Sequence, residues 1–137
     1  MNIKLLVDKA IEARKNSYSP YSKFKVGASI LLKDGSYILG CNVENVSYGL
    51  TNCAERTALF KLVSDGYSKD DVIAMAIVGD TSNPIAPCGA CRQVMMELLN
   101  QDTLVVLANL NGNYLETTVK DLMPYSFGGI ENADWYI

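Results

Sequence analysis

Apolar side chains recur at Ile3, Leu6, Val7, Ala10, Ile11 and Ala13, while Lys4, Asp8, Lys9 and Glu12 fall between them. That spacing predicts an amphipathic helix over 3–14 with one face against a core. The stretch N-S-Y-S-P-Y-S at 16–22 ends it, because small polar residues and a proline favour a loop. V-G-A-S-I-L-L and Y-I-L-G-C-N-V then flank K-D-G-S. Asp34-Gly35 is a strong hairpin signal, so two antiparallel strands are expected over 26–32 and 37–43. Both are mostly apolar, which suits a sheet covered on its faces. Residues 44–52 have no clean period and read as a loop.

A second helix is expected over 53–65, with Ala54, Ala58, Leu59, Leu62 and Val63 on its apolar face and Gly66 closing it. V-I-A-M-A-I-V-G at 72–79 reads as a buried strand. After a loop with Pro84 and Pro87, a helix over 89–99 carries Val94, Met95, Leu98 and Leu99 inward. A strand over 103–110 turns at Asn111-Gly112 into Y-L-E-T-T-V, and one helical turn and an irregular tail follow. The order α-β-β-α-β-α-β-β-α contains one β-α-β unit, which requires a parallel pair with a right-handed crossover. The expected fold class is α/β: a three-layer α/β/α sandwich around a mixed five-stranded sheet. No repeat or linker interrupts the pattern, so one domain is expected over 1–137.

Charge and composition narrow the function. The chain has 12 basic and 15 acidic side chains, a net charge of −3 and no histidine. Such a chain repels phosphate backbones, and no Lys/Arg cluster offsets that, so nucleic acid is not the expected partner. The N-terminus alternates charged and apolar residues, with no secretory h-region and no run long enough to span a bilayer. A cytoplasmic location is therefore expected, where Cys41, Cys53, Cys88 and Cys91 stay reduced and serve metal binding or catalysis rather than disulfides.

Two motifs carry the chemistry: T-N-C-A-E-R at 51–56 and P-C-G-A-C at 87–91. Both fall where helices begin, and helix N-termini favour thiolate over thiol. Cys88 and Cys91 are three apart and can face one metal ion from a single turn. Cys-x-x-Cys also occurs as a redox dithiol, but that use leaves Cys53 and Glu55 without a role. A closed structural zinc site would need Cys41 as a fourth ligand. Cys41 ends a strand without a nearby partner cysteine, and a buried core role suits it better. Three cysteines leave a fourth position to water, the mark of a catalytic zinc site. Glu55, two residues from Cys53, can then move protons, although a first-turn acid also suits the helix dipole. Three thiolates on Zn²⁺ sum to −1, which weakens its acidifying power. Arg56 is the natural compensation where no neutral imidazole exists, and Gln93 can brace the site from behind the ligands. Arg92 is equally well explained as an exposed helix residue.

These residues resemble the zinc-dependent nucleoside and nucleobase deaminases, whose signature is Cys or His, Ala-Glu, then Pro-Cys-x-x-Cys. P-Y-S-K-F-K-V-G-A at 20–28, G-C-N-V-E-N-V-S-Y-G at 40–49, C-A-E-R-T-A at 53–58 and P-C-G-A-C-R-Q at 87–93 are similar, in order and spacing, to the small homotetrameric cytidine deaminases. The resemblance implies one zinc per chain on Cys53, Cys88 and Cys91, with Glu55 as proton shuttle. It implies a nucleoside substrate, cytidine or deoxycytidine, in pyrimidine salvage. Asn42 and Glu44 would bind the ribose hydroxyls, and Phe24 would line the pyrimidine pocket. The backbone of Ala54 and the 86–88 turn would meet the base edge. Tyr48 and Phe127 would reach a neighbouring subunit's site in a homotetramer.

Asn42 and Glu44 independently suit that task, being alternate residues that can point one way. Three rivals are distinguishable. A deaminase of a cytosine-bearing antibiotic such as blasticidin S shares the zinc motif, but N-V-E-N-V-S-Y favours an unmodified ribose. A nucleic-acid-editing deaminase fits poorly with the acidic, short chain and the Asn111-Gly112 hairpin. A structural zinc module requires Cys41 in the site.

Overall fold

In the computed structural model, which describes residues 1–128, the hydrophobic pattern becomes five strands in the order β2-β1-β3-β4-β5. The strands are β1 (Val26–Leu32), β2 (Tyr37–Cys41), β3 (Val72–Gly79), β4 (Leu104–Asn109) and β5 (Tyr114–Thr118). The helices are α1 (Ile3–Arg14), α2 (Ala54–Ser64), α3 (Gly89–Leu98) and α4 (Val119–Leu122). β1 pairs antiparallel with both β2 and β3, β3 pairs parallel with β4, and β4 pairs antiparallel with β5. The parallel pair is the one joined by α3, as the β-α-β unit requires. The fold is a mixed five-stranded α/β sheet with helices on both faces. The single domain expected over 1–137 includes 129–137, which lie outside the described residues.

The two faces of the sheet bury different side chains. Leu6 and Ala10 of α1 pack on Ala74, Ala76, Val78, Val106 and Ala108. On the other face Ala28, Ile30, Met75, Ile77, Val105 and Leu107 meet Ala58, Leu59 and Leu62 of α2, and Met95 and Leu99 at α3. Alternation along β3 and β4 thus feeds both layers, which is why these strands read as continuous apolar runs.

Three local expectations are corrected. Val63, expected on the apolar face of α2, is 52% exposed, and Glu55 is buried instead. The buried face of α2 is rotated toward its N-terminal end. β2 stops at Cys41 rather than residue 43, because Val43 leaves β1 and bridges Tyr18 and Asn52. Cys41 is half-buried on this edge strand, not a core residue.

Gly40 governs how α2 sits. A Cβ there would come 2.5 Å from Ala58 N and 2.7 Å from Ala54 O, so only glycine lets the helix backbone lie directly on β2. That close approach sets the position of the N-terminal turn of α2.

Candidate metal centre and active site

Cys53 is the N-cap of α2, Cys88 is the N-cap of α3, and Cys91 sits in the first turn of α3. Both caps have extended backbone and no side-chain cap hydrogen bond, which leaves their sulfurs free to point at each other. Cys53 Sγ is 3.8 Å from Cys88 Sγ, and Cys88 Sγ is 3.5 Å from Cys91 Sγ. All three sulfurs lie within 4.8 Å of one another, and Cys41 is not among them. Thiolates bound to one tetrahedral zinc at about 2.3 Å stand about 3.8 Å apart, so the triad fits a zinc ion. The same geometry leaves the structural module without its fourth sulfur.

The electrostatics follow from burial and from the one adjacent cation. Arg56 Nη2 donates to Cys53 Sγ at 3.4 Å. Its Nε is buried without a partner among the described residues. The Cys53 thiol is held down at about 5, first by the hydrogen bond from the Cys91 thiol and then by Arg56, against the effect of burial. Cys91 is pushed up by that same bond to Cys53 and by burial. Without metal, Cys53 is thus favoured over Cys91 as the thiolate. Glu55 is 4% exposed, and burial pushes its carboxyl up, with the Cys53 charge adding to the effect. A buried carboxyl whose charged form is disfavoured in this way is suited to hold a proton and pass it on.

Other expected residues fall around this centre. Ala54, between Cys53 and Glu55, is fully buried. Phe24 is 37% exposed, and its ring tip lies 3.2 Å from where a Cβ at Gly79 would stand, beside Ile85 on the loop that leads to Cys88. Asn42 and Glu44 are buried and Val43 between them is exposed, so the pair shares a direction. Asn42 Oδ1 accepts from Val26 N at 2.9 Å and from Ser17 Oγ, and its Nδ2 donates to Phe24 O at 2.8 Å. Glu44 Oε1 accepts from Tyr21 N at 2.9 Å and Ser22 N at 3.0 Å, and Oε2 accepts from Ser22 Oγ. Gln93 Nε2 donates to Phe127 O at 3.0 Å, which draws the last described turn toward α3. Phe127 and Tyr48 are largely exposed, and Tyr48 packs edge-on to Tyr21 at 5.8 Å. A cavity of about 360 Å³ opens between Tyr21, Ser22, Glu44, Tyr48 and Thr51. A larger one of about 560 Å³ lies around Met96, Val119 and Met123, but contains no thiol and no buried carboxylate.

Ser17 and Ser22 were missed as functional candidates. They sit in a polar loop, and their partners are 20 or more positions away, so no local pattern marks them. Arg92 resolves its ambiguity: Nε donates to Pro87 O at 2.8 Å and Nη1 to Leu122 O at 3.0 Å, which ties the turn before Cys88 to the end of α4.

Residues 1–108 match the family model described as the cytidine and deoxycytidylate deaminase zinc-binding region. The chain belongs to this family. A cytidine deaminase of Halalkalibacterium halodurans is 58% identical over 93% of this chain and 95% of that protein. One from Sporosarcina psychrophila is 50% identical over 93% and 92%. The crystal structure of cytidine deaminase from Burkholderia pseudomallei superposes with a TM-score of 0.90 at 52% identity, covering 93% of this chain and all of that one. The enzyme from Mycobacterium tuberculosis gives 0.79 at 38% identity, covering 93% and 98%. In this deaminase family member the thiol triad and Glu55 therefore lie inside the zinc-binding region that the model describes.

Proposed function

We propose that the chain hydrolyses cytidine and deoxycytidine to uridine and deoxyuridine with release of ammonia, using one zinc ion per chain. The observation that carries this reading is the convergence of Cys53, Cys88 and Cys91 beside the buried carboxyl of Glu55. Zinc held by the three sulfurs supplies Lewis-acid chemistry and a water acidified for attack. Glu55 handles the protons. It takes one from the attacking water and gives it to N3 of the pyrimidine. After the oxygen–C4 bond has formed, it takes the second proton from the new C4 hydroxyl and passes it to the amine, which leaves as ammonia as the C4–N bond breaks. The balance is one water in and one ammonia out. Arg56 offsets the charge of three thiolates, and Gln93 braces the site from behind the ligands.

Substrate orientation falls to the residues around the centre. Phe24 flanks the pyrimidine, and the backbone of Ala54 and of the 86–88 turn meets its edge. Asn42 and Glu44 take the sugar hydroxyls. Tyr48 and Phe127 are exposed aromatics on a protein of 15.0 kDa, a surface that favours a partner. The reading assigns them to a neighbour's site in a homotetramer of single-domain subunits. No helix of the described residues is long and apolar enough to cross a membrane. The proposed setting is the cytoplasm, in pyrimidine salvage, without nucleic acid or membrane partners.

The test is direct. Zinc per purified chain is quantified, and the fall in cytidine and deoxycytidine absorbance is followed with and without a chelator. One zinc per chain, and turnover abolished by chelation, are expected. A zinc-loaded protein that turns over neither nucleoside would overturn the proposal.

A further inference from the structure

Ser22 is exposed, yet its hydroxyl is engaged as both donor and acceptor. It donates to Glu44 Oε2 and accepts from Phe24 N at 3.0 Å. A hydroxyl has one proton, and with Phe24 N–H occupying an acceptor side that proton is directed at the carboxylate. Lys23, between the two, has φ 61, a left-handed conformation uncommon outside glycine. Lys23 N also bonds back to Ser19 O at 3.0 Å, so a tight turn presents Ser22 to Glu44. The Ser22 hydroxyl thus adds a side-chain link to the backbone and Asn42 contacts that join the motif around 20–28 to the motif around 40–49.

The lone pairs on Glu44 can be counted. Oε1 receives two backbone N–H groups, from Tyr21 and Ser22, and is filled. Among the described residues Oε2 receives only the Ser22 hydroxyl, so one acceptor place remains. Glu44 itself lines a cavity together with Ser22, Tyr48 and Thr51. Without the hydroxyl of Ser22, Oε2 gains a second open place and the carboxylate is held against rotation by its Oε1 bonds alone.

We propose that Ser22 is a positioning residue for sugar recognition: its hydroxyl fixes the Glu44 carboxylate with one acceptor free for one sugar hydroxyl. This rests on the nucleoside deaminase reading above. Ser22 acts on binding through Glu44 and does not touch the reacting C4 centre. Its removal therefore separates KM from kcat, and separates sugars that carry hydroxyls from sugars that do not.

The experiment uses the zinc-loaded full chain and Ser22→Ala, with Ser22→Thr as the variant that retains a hydroxyl. Cytidine kinetics are measured, together with competitive inhibition by uridine and by 2′,3′-dideoxyuridine. For Ser22→Ala, KM for cytidine and the inhibition constant of uridine are expected to rise about tenfold, the size of one hydrogen bond to a charged group. The inhibition constant of 2′,3′-dideoxyuridine and kcat are expected to move less than about twofold, and Ser22→Thr to restore most of the loss. Equal weakening of both inhibitors would mark a general structural effect and overturn the proposal, as would an unchanged KM. If the unsubstituted protein turns over no nucleoside, it is the functional reading that fails, and the two failures are told apart. Ser22 buries no apolar surface, so the alanine variant is expected to fold, and a thermal melt checks this.

Discussion

Arg56 and Cys53 stand three positions apart on the first turn of one helix, with Nη2 3.4 Å from Sγ. No histidine occurs in the chain, so this guanidinium is the positive group in hydrogen-bonding contact with the thiol triad. Arg56→Gln is expected to keep the fold and lower kcat about tenfold or more, the scale of a charge-assisted hydrogen bond. Its pH–rate profile should move to higher pH, because the site becomes more negative and its water harder to ionise. A superimposable pH–rate profile would remove the charge-compensation role.

The preference of Cys53 for the thiolate form can be read by alkylation. Only the thiolate reacts, and Cys53 is held down at about 5, below an ordinary thiol. In metal-stripped protein, iodoacetamide labelling of the Cys53 peptide is therefore expected to persist as pH falls from 8 and to halve near pH 5. Arg56→Gln moves that midpoint upward. Peptide mass spectrometry across the pH series tests both statements. Labelling that halves near the ordinary thiol value would show that the triad does not hold a thiolate.

Glu55→Gln is expected to retain zinc and lose about 10²–10⁴-fold in kcat, the usual reach of acid–base assistance. The stability change has a definite sign. The folded carboxyl of Glu55 is raised by burial. Its favourable contribution is thus complete below the unfolded carboxylate pKa and is lost as pH rises through the folded value. Metal-stripped Glu55→Gln should accordingly melt no lower than the unsubstituted protein at pH 7, with the difference growing as pH rises from acid. Scanning calorimetry measures it.

Gly40→Ala places a methyl 2.5 Å from the backbone of α2. Overpacking of this kind costs about 1–3 kcal/mol, and relief requires α2 to lift off β2. Since Cys53 caps that helix, zinc content and stability should fall together. Urea titration and metal analysis of the same preparation check the link. Full zinc in a destabilised variant would separate the helix seat from the metal site.

The proposed homotetramer, in which the exposed Tyr48 and Phe127 reach neighbouring sites, is open to test. Sedimentation should give about four times 15.0 kDa per particle. Tyr48→Ala is expected to raise KM several-fold if it reaches a neighbouring site, and a monomer with full activity would exclude shared sites.

Most of the fold was legible in the sequence because its signals are local. Asp34-Gly35 marks the β1–β2 hairpin, and the apolar runs of β3 and β4 report burial on both faces. The thiols at helix starts were legible for the same reason, since a cap is a local event. Val63 and Glu55 were not. An apolar residue at helical spacing competes with the site for the buried face, and Gly40 decides the rotation from another element. The end of β2 was also hidden, because Val43 exchanges β1 for Tyr18 and Asn52, partners contributed by two loops. Ser22 illustrates the limit most sharply: the polar character of its loop is visible, but its target, Glu44, is supplied only by the folded chain.

The separation of the metal-binding sulfurs along the chain has a consequence for biogenesis. Cys53 and Cys88 are 35 positions apart, and β3, lying between β1 and β4, must be in register before their helices start side by side. The parallel β3–β4 pair closes only after α3 has been made, and non-local pairings of that kind form late. A nascent chain that has emerged only through α2 can offer just one of the three sulfurs. A site that uses all three sulfurs is therefore complete only after β3 and β4 have paired. On the proposed zinc reading, the ion would act as a latch on an assembled sheet rather than as a seed for it.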